Sequence, residues 1–155
     1  MFFDQPLSLA HILSPSEERD LLQRIITATK GAKMLVKKHP TDNENKYKGL
    51  DLELLKSDNI PWEVVYLNEI LKNNGHLENK TYITYNSTAL LNTRILFKDL
   101  GSSNRFITLN KLLNTPAEKS QTKPLLDKYF EKFKTFYEDY YYELESIEEL
   151  FSFLH

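Results

Sequence analysis

Lys37-Lys38-His39-Pro40 follows directly on the apolar run Met34-Leu35-Val36, so a histidine and two lysines gather where a buried strand would surface into a loop. Open α/β sheets bind their ligands at such strand ends. A second segment repeats the layout. Thr81-Tyr82-Ile83-Thr84-Tyr85 reads as a strand, and Asn86-Ser87-Thr88 opens a run from Ala89 to Phe97 with helical spacing. The first segment supplies cationic donors; the second supplies hydroxyls at a helix N-terminus, beside backbone N–H groups with no partner inside the helix. Together they describe a pocket for an anion, above all a phosphate. His39 can donate a charge-assisted hydrogen bond to a phosphate. Because imidazole changes charge near neutral pH, it can also pass a proton to a phosphate leaving group.

Between these segments lies Ile60-Pro61-Trp62-Glu63, with a carboxylate in the first turn of a predicted helix. Glu63 could accept both hydroxyls of a ribose, as acidic residues do in dinucleotide sites. Each feature also has a plainer reading. His39 could be a strand-end residue bonded to a backbone carbonyl, Ser87 and Thr88 could be helix caps, and Glu63 could sit where the helix dipole favours an anion.

The whole chain narrows the choices. Its 155 residues fit one domain with a real core, and a formal charge of −2 argues against a general nucleic-acid or membrane-surface binder. Any phosphate preference must be local. There is no cysteine, which removes disulfides, thiolate metal sites and a cysteine nucleophile. The four histidines show no ligand spacing, so no metal is expected. No cofactor is expected either. Neither G-x-G-x-x-G nor G-x-x-x-x-G-K occurs, which argues against a P-loop or a standard dinucleotide site. The N-terminus lacks the basic-then-apolar layout of a signal peptide, and no apolar run is long enough to span a bilayer. The expectation is a cytoplasmic protein.

The elements that must position these residues follow in order. Phe2-Phe3 predicts a short strand ended by Pro6. Ser14-Pro15-Ser16-Glu17 predicts a capping box, followed by the stripe Leu21, Leu22, Ile25 and Ile26 and a stop at Gly31. Met34 to Val36 predicts a central strand, Thr41 to Lys48 a surface loop, and Leu52 to Leu55 a further strand. A helix is predicted from Pro61 through Val64, Val65, Leu67, Ile70 and Leu71 to Asn73-Asn74-Gly75, and a strand over Phe106 to Leu109. Strands alternating with helices predict an α/β fold, a Rossmann-like parallel sheet flanked by helices, over residues 1–120. Beyond it, residues 121–155 read as a helical extension packing on that domain or on a partner domain. Its main feature is a long aromatic C-terminal helix carrying Leu126, Phe130, Phe133, Tyr137, Tyr140, Tyr141 and Leu144. Ser146 caps a last short helix.

The order strand-Lys-x-His-Pro, then Ile-Pro-x-Glu, then strand-x-Ser-Thr resembles the sugar-nucleotide half of bacterial sialyltransferases with the GT-B fold. It is similar to the lipooligosaccharide sialyltransferases of glycosyltransferase family fifty-two and to the capsule polysialyltransferases. Phe3-Asp4-Gln5-Pro6-Leu7 with the capped helix behind it resembles the first strand of that family's C-terminal domain. The likeness runs from about Phe2 to Leu109.

The resemblance implies a glycosyltransferase domain whose ligand is CMP-sialic acid or a related nucleotide sugar, at the inner face of a bacterial membrane. It implies that His39 is the catalytic residue that binds and stabilises the departing CMP phosphate, and that Pro40 completes the His-Pro motif. Lys37 would lie near the cytosine or phosphate, Glu63 would bind the ribose, and Ser87 and Thr88 would hold phosphate oxygens. The chain departs from the pattern at Lys38, where relatives often carry glycine. It also holds no Asp/Glu-Asp/Glu-Gly motif, so the base that deprotonates the acceptor hydroxyl has no candidate. Asp4 falls near the expected cleft but is a poor choice for that base. The family places the base and the glycan acceptor site in an N-terminal domain, so this half would be inactive alone. Two other readings stand beside this one. One is a GT-B domain for CMP-Kdo or a UDP-sugar. The other is a non-catalytic interaction module that forms a homodimer through its aromatic C-terminal helix.

Overall fold

Alternation of apolar side chains along very short strands sets the architecture. In the computed structural model, which describes residues 1–30, 34–42, 44–56, 60–75, 77–85, 87–97, 103–113, 128, 131–132, 134–135 and 140–155, Phe2 and Phe3 face opposite sides of one sheet. Phe2, Val36, Ile83 and Ile107 meet Leu22, Ile25 and Ile26 of one helix and Ile147 and Leu150 of another. Phe3, Tyr82 and Phe106 meet Trp62, Tyr66, Ile70, Leu90 and Leu91 on the other side. A period of two therefore feeds two cores.

The chain runs β1 (Phe2–Phe3), α1 (Pro15–Ala28), β2 (Leu35–Lys37), a 3-10 turn (Glu44–Tyr47), β3 (Glu53–Leu54), α2 (Trp62–Lys72), β4 (Thr81–Thr84) and α3 (Thr88–Leu96). It continues with β5 (Arg105–Thr108), a second 3-10 turn (Asn110–Leu112), β6 (Tyr141–Glu143) and α4 (Ile147–Leu154). The strands form one sheet in the order β3-β2-β1-β4-β5-β6, with every pairing parallel. Helices α1 and α4 cover one face, and α2 and α3 the other. This is the Rossmann-like α/β arrangement expected from the alternation of elements. β1 passes through α1 to β2 on one side, and β3 returns through α2 to β4 on the other, so the winding reverses between β1 and β4. At that point the flanking loops diverge and leave a crevice beyond the strand ends.

Local signals act where the sequence puts them. Ser14 accepts from the Glu17 N–H at 3.3 Å, and Glu17 accepts from the Ser14 N–H at 2.7 Å, closing the capping box of α1. The helix ends at Ala28 with Thr29 as its cap; Gly31, the expected stop, lies outside the described residues. Ser87 caps α3.

Two expectations are corrected. The long aromatic helix does not run to Leu144. Tyr141–Glu143 is strand β6, in register with Phe106, Ile107 and Thr108, and the Leu144 N–H donates to Thr108 O at 3.1 Å. Without β6 the edge of β5 would carry unpaired backbone groups, and tyrosines suit a half-buried strand, so pairing wins over helical spacing here. Lys128, Glu131, Lys132, Lys134 and Thr135 are helical, while Leu126, Phe130, Phe133 and Tyr137 lie outside the described residues. The second correction concerns Thr41 to Lys48. It is not a plain surface loop, because Tyr47 is buried in the core on the α1 side and the Lys46 ammonium is nearly enclosed.

Candidate functional site

The cleft at the reversal point has a volume of about 340 Å³, within the lower range of ligand sites. Phe3, Asp4 and Gln5 from the end of β1 line it together with Lys37, Lys38, His39 and Pro40 from the end of β2. Ile60, Pro61, Trp62 and Glu63 contribute from the start of α2, and Ser87, Thr88 and Ala89 from the start of α3. All six residues singled out from the sequence, Lys37, His39, Pro40, Glu63, Ser87 and Thr88, thus meet in one crevice.

Each is held in a definable way. Lys37 Nζ donates to Ile60 O at 3.3 Å, tying the end of β2 to the entry of α2. His39 is half-buried and Pro40 exposed. The His39 Nδ1 accepts from the Thr41 N–H at 3.3 Å and lies 2.8 Å from the Thr41 hydroxyl. Glu63 Oε1 accepts from Asn92 Nδ2 at 3.0 Å, a bond that links α2 to α3. Ser87 is buried and its Oγ accepts from the Ala89 N–H at 3.4 Å, so its first task is capping. Thr88 is exposed. One buried hydroxyl sets this turn, since Thr84 Oγ1 donates to Phe3 O at 3.1 Å and accepts from the Ser87 N–H at 3.0 Å. It therefore joins β1, β4 and the start of α3, and fixes Phe3 and Ser87, which line the cleft.

Two helix N-termini open into the same space. The cap of α3 is filled by Ser87, whereas the cap of α2 is Pro61, which makes no side-chain bond to the first turn. The partial positive charge at both ends favours an anion between them, and Lys37, Lys38 and His39 stand on the facing loop. Trp62 forms a wall, fixed by edge-on packing against Phe3 at 4.9 Å and Tyr82 at 5.8 Å.

Behind the cleft lies a charged cluster that sequence reading missed. Lys46 Nζ is 2.9 Å from Asp4 Oδ2 and 2.9 Å from Glu18 Oε1, and it also pairs with Asp42. The single proton of the Tyr47 hydroxyl is shared between Asp4 Oδ2 at 2.8 Å and Asp42 Oδ2 at 3.1 Å. Glu18 accepts from the Leu7 N–H at 2.9 Å and the Ser8 N–H at 3.3 Å. Three carboxylates share one ammonium, and the balance differs at each group. Burial pushes the Asp4 carboxyl above the ordinary carboxylate range, overriding Lys46, Tyr47 and the Gln5 N–H. Burial also works against the charge on Glu18, but Ser8, Lys46 and Leu7 together hold its carboxyl below the usual value. Lys46 would be lowered by burial alone, yet Asp4, Asp42 and Glu18 keep its ammonium above the ordinary lysine range. Asp4 reaches the cleft with both oxygens engaged, one by Gln5 N at 2.8 Å and the other by Lys46 and Tyr47. Its role is to anchor rather than to abstract protons. Asp42, Lys46 and Tyr47 are neighbours in sequence, with Asp42 and Lys46 four residues apart, but Asp4 and Glu18 are distant from them and only the fold brings these two to the rest.

The arrangement can bind a compact anion between helix ends and cations, with a carboxylate at one side for hydroxyls. Among the described residues no group of three or more histidine or acidic side chains could hold a metal ion, and no described helix is long and apolar enough to cross a membrane. No profile of a known protein family matches the chain, and no curated protein matches it.

Proposed function

We propose that the chain is the donor-binding half of a sialyltransferase, a GT-B domain that holds CMP-sialic acid for transfer to a cell-surface glycan. The observation that carries this reading is the meeting of three short motifs, widely separated in sequence, around one cleft at the reversal point of the sheet. On this reading the CMP phosphate lies between the N-termini of α2 and α3, and His39 donates to it as it departs. Thr88 and the backbone of the α3 turn contact phosphate oxygens, with Ser87 holding that turn. Glu63 accepts from the ribose, and Lys37 and Pro40 shape the rim towards the base. Displacement is inverting and metal-independent. The acceptor site and catalytic base belong to a separate N-terminal domain, so this chain binds nucleotide with little or no transfer of its own. The reading carries a cytoplasmic location at the inner face of a bacterial membrane.

Isothermal titration tests it directly. CMP is expected to bind more tightly than AMP or UMP, and phosphate is expected to compete with it. Equal indifference to the three nucleotides sinks the proposal, and a preference for UMP redirects it to a UDP-sugar. The dimerising module gains no support, because Tyr140 to Tyr142 on its expected helix lie at or in β6.

A further inference from the structure

The loop that carries His39 at the cleft is the same loop that carries Lys46 into the charged cluster, and a continuous set of bonds joins the two. The Thr41 N–H donates to His39 Nδ1 at 3.3 Å, with the Thr41 hydroxyl 2.8 Å from the same nitrogen. The Asp42 N–H donates to His39 O at 2.9 Å, closing a tight turn. The Asp42 carboxylate then accepts from the Tyr47 hydroxyl at 3.1 Å and pairs with Lys46. Lys46 in turn is held by Asp4 and Glu18, and it donates to Gln5 O at 3.3 Å. From α1, Arg19 fixes the backbone of the 3-10 turn that carries Lys46 by donating to Lys46 O and Lys48 O.

We propose that Thr41, Asp42 and Lys46 form a positioning relay that locks the His39 ring at the cleft in one tautomer, with its proton on Nε2. A ring nitrogen that accepts from a backbone N–H carries no proton of its own, so neutral His39 must hold its proton on the other nitrogen. The exposed end of the relay selects the tautomer, and the buried end holds the turn on which the ring is mounted. In that tautomer the ring can donate to an anion through Nε2. None of the three relay residues needs to touch the ligand. Their action is analogous to that of the outer partners that orient histidines at metal sites.

The inference rests on the nucleotide reading for its purpose but not for its test. In the full chain labelled with ¹⁵N-histidine, long-range proton–nitrogen correlation is expected to show His39 with an acceptor-type Nδ1 and a protonated Nε2. His39→Gln identifies the signal. Thr41 is exposed, so Thr41→Val should fold normally and, since it keeps the backbone N–H that fixes the tautomer, should leave His39 protonated on Nε2, whereas Thr41→Pro removes that N–H and should convert His39 to a mixture of tautomers. Lys46→Met is expected to weaken CMP binding about tenfold, by analogy with lost outer partners at metal sites. A His39 proton on Nδ1, or an unchanged signature in Thr41→Pro, overturns the relay, and the tautomer of the unaltered chain decides even where Thr41→Pro or Lys46→Met fails to fold. Absence of any nucleotide or phosphate binding alongside the stated tautomer sinks the nucleotide reading and leaves the relay standing.

Discussion

Glu63 shows how one residue can serve structure and ligand together. Its Oε1 is engaged by Asn92, and its position in the first turn of α2 suits an anion regardless of ligand. If the carboxylate also receives ribose hydroxyls, Glu63→Ala should weaken CMP by roughly ten- to a hundredfold, the worth of a hydrogen bond to a charged group. It should weaken 2′-deoxy-CMP much less. Competition titration with the two nucleotides checks this, and equal losses would show that Glu63 acts only by holding α2 to α3. His39, Ser87 and Thr88 were legible in the sequence because each follows a strand-like run at the point where a chain must leave a sheet, and Glu63 because Pro61 marks the start of a helix just before it. The partners that orient His39 were not. Thr41 and Asp42 look like ordinary loop residues, and Lys46 acquires its meaning only from Asp4 and Glu18, which the fold brings to it.

At the scale of elements, matched threonines seal the strand ends. Thr84 bonds the end of β1 and the start of α3; Thr108, opposite it on β5, donates to Tyr85 O at 2.8 Å and accepts from the Asn110 N–H at 3.3 Å. In each case a side chain satisfies backbone groups where the ladder stops. The helices and the inner strands could be read from caps, turn residues and apolar period. β6 could not, because Tyr140-Tyr141-Tyr142 is part of an aromatic series that satisfies helical spacing as well as strand propensity. The choice falls to a neighbour distant in sequence, the open edge of β5. This assignment has a direct check. The Leu144 amide donates to Thr108 O, so its hydrogen exchange should be slowed together with that of the β5 amides, and Tyr142→Pro should speed the exchange of β6 while leaving β1 and β2 protected. Exchange of Leu144 at the rate of an exposed chain would remove β6 from the sheet.

Across the whole molecule, the distribution of tyrosine makes alkaline pH the weak side of the fold. Tyr47, Tyr82, Tyr85 and Tyr141 sit in or against the two cores, and burial pushes each phenol above its ordinary range. Nearby acidic groups add to this, Asp4 at both Tyr47 and Tyr85. Lys46 is shifted the same way, with burial outweighed by Asp4, Asp42 and Glu18. All five groups keep their protons in the folded chain at pH values where the unfolded chain would release them. The unfolded state then binds fewer protons than the native one, so the derivative of stability with pH is negative. The contribution of these groups should therefore not vary with pH around neutrality, and stability should fall once the pH passes about 10, the unperturbed phenol value. Each group that withholds its proton adds a slope of about 1.4 kcal/mol per pH unit. Beyond the signal of exposed rings such as Tyr140, phenolate absorbance and circular dichroism, followed together through an alkaline titration, should change in one cooperative step. Tyr47→Phe removes one ionising phenol but also the bonds to Asp4 and Asp42, so it should flatten the slope while lowering stability at neutral pH. Gradual phenolate formation by all nine tyrosines at ordinary pH values, with the dichroism intact, would mean that these rings are open to solvent and that the two aromatic cores do not pack as described.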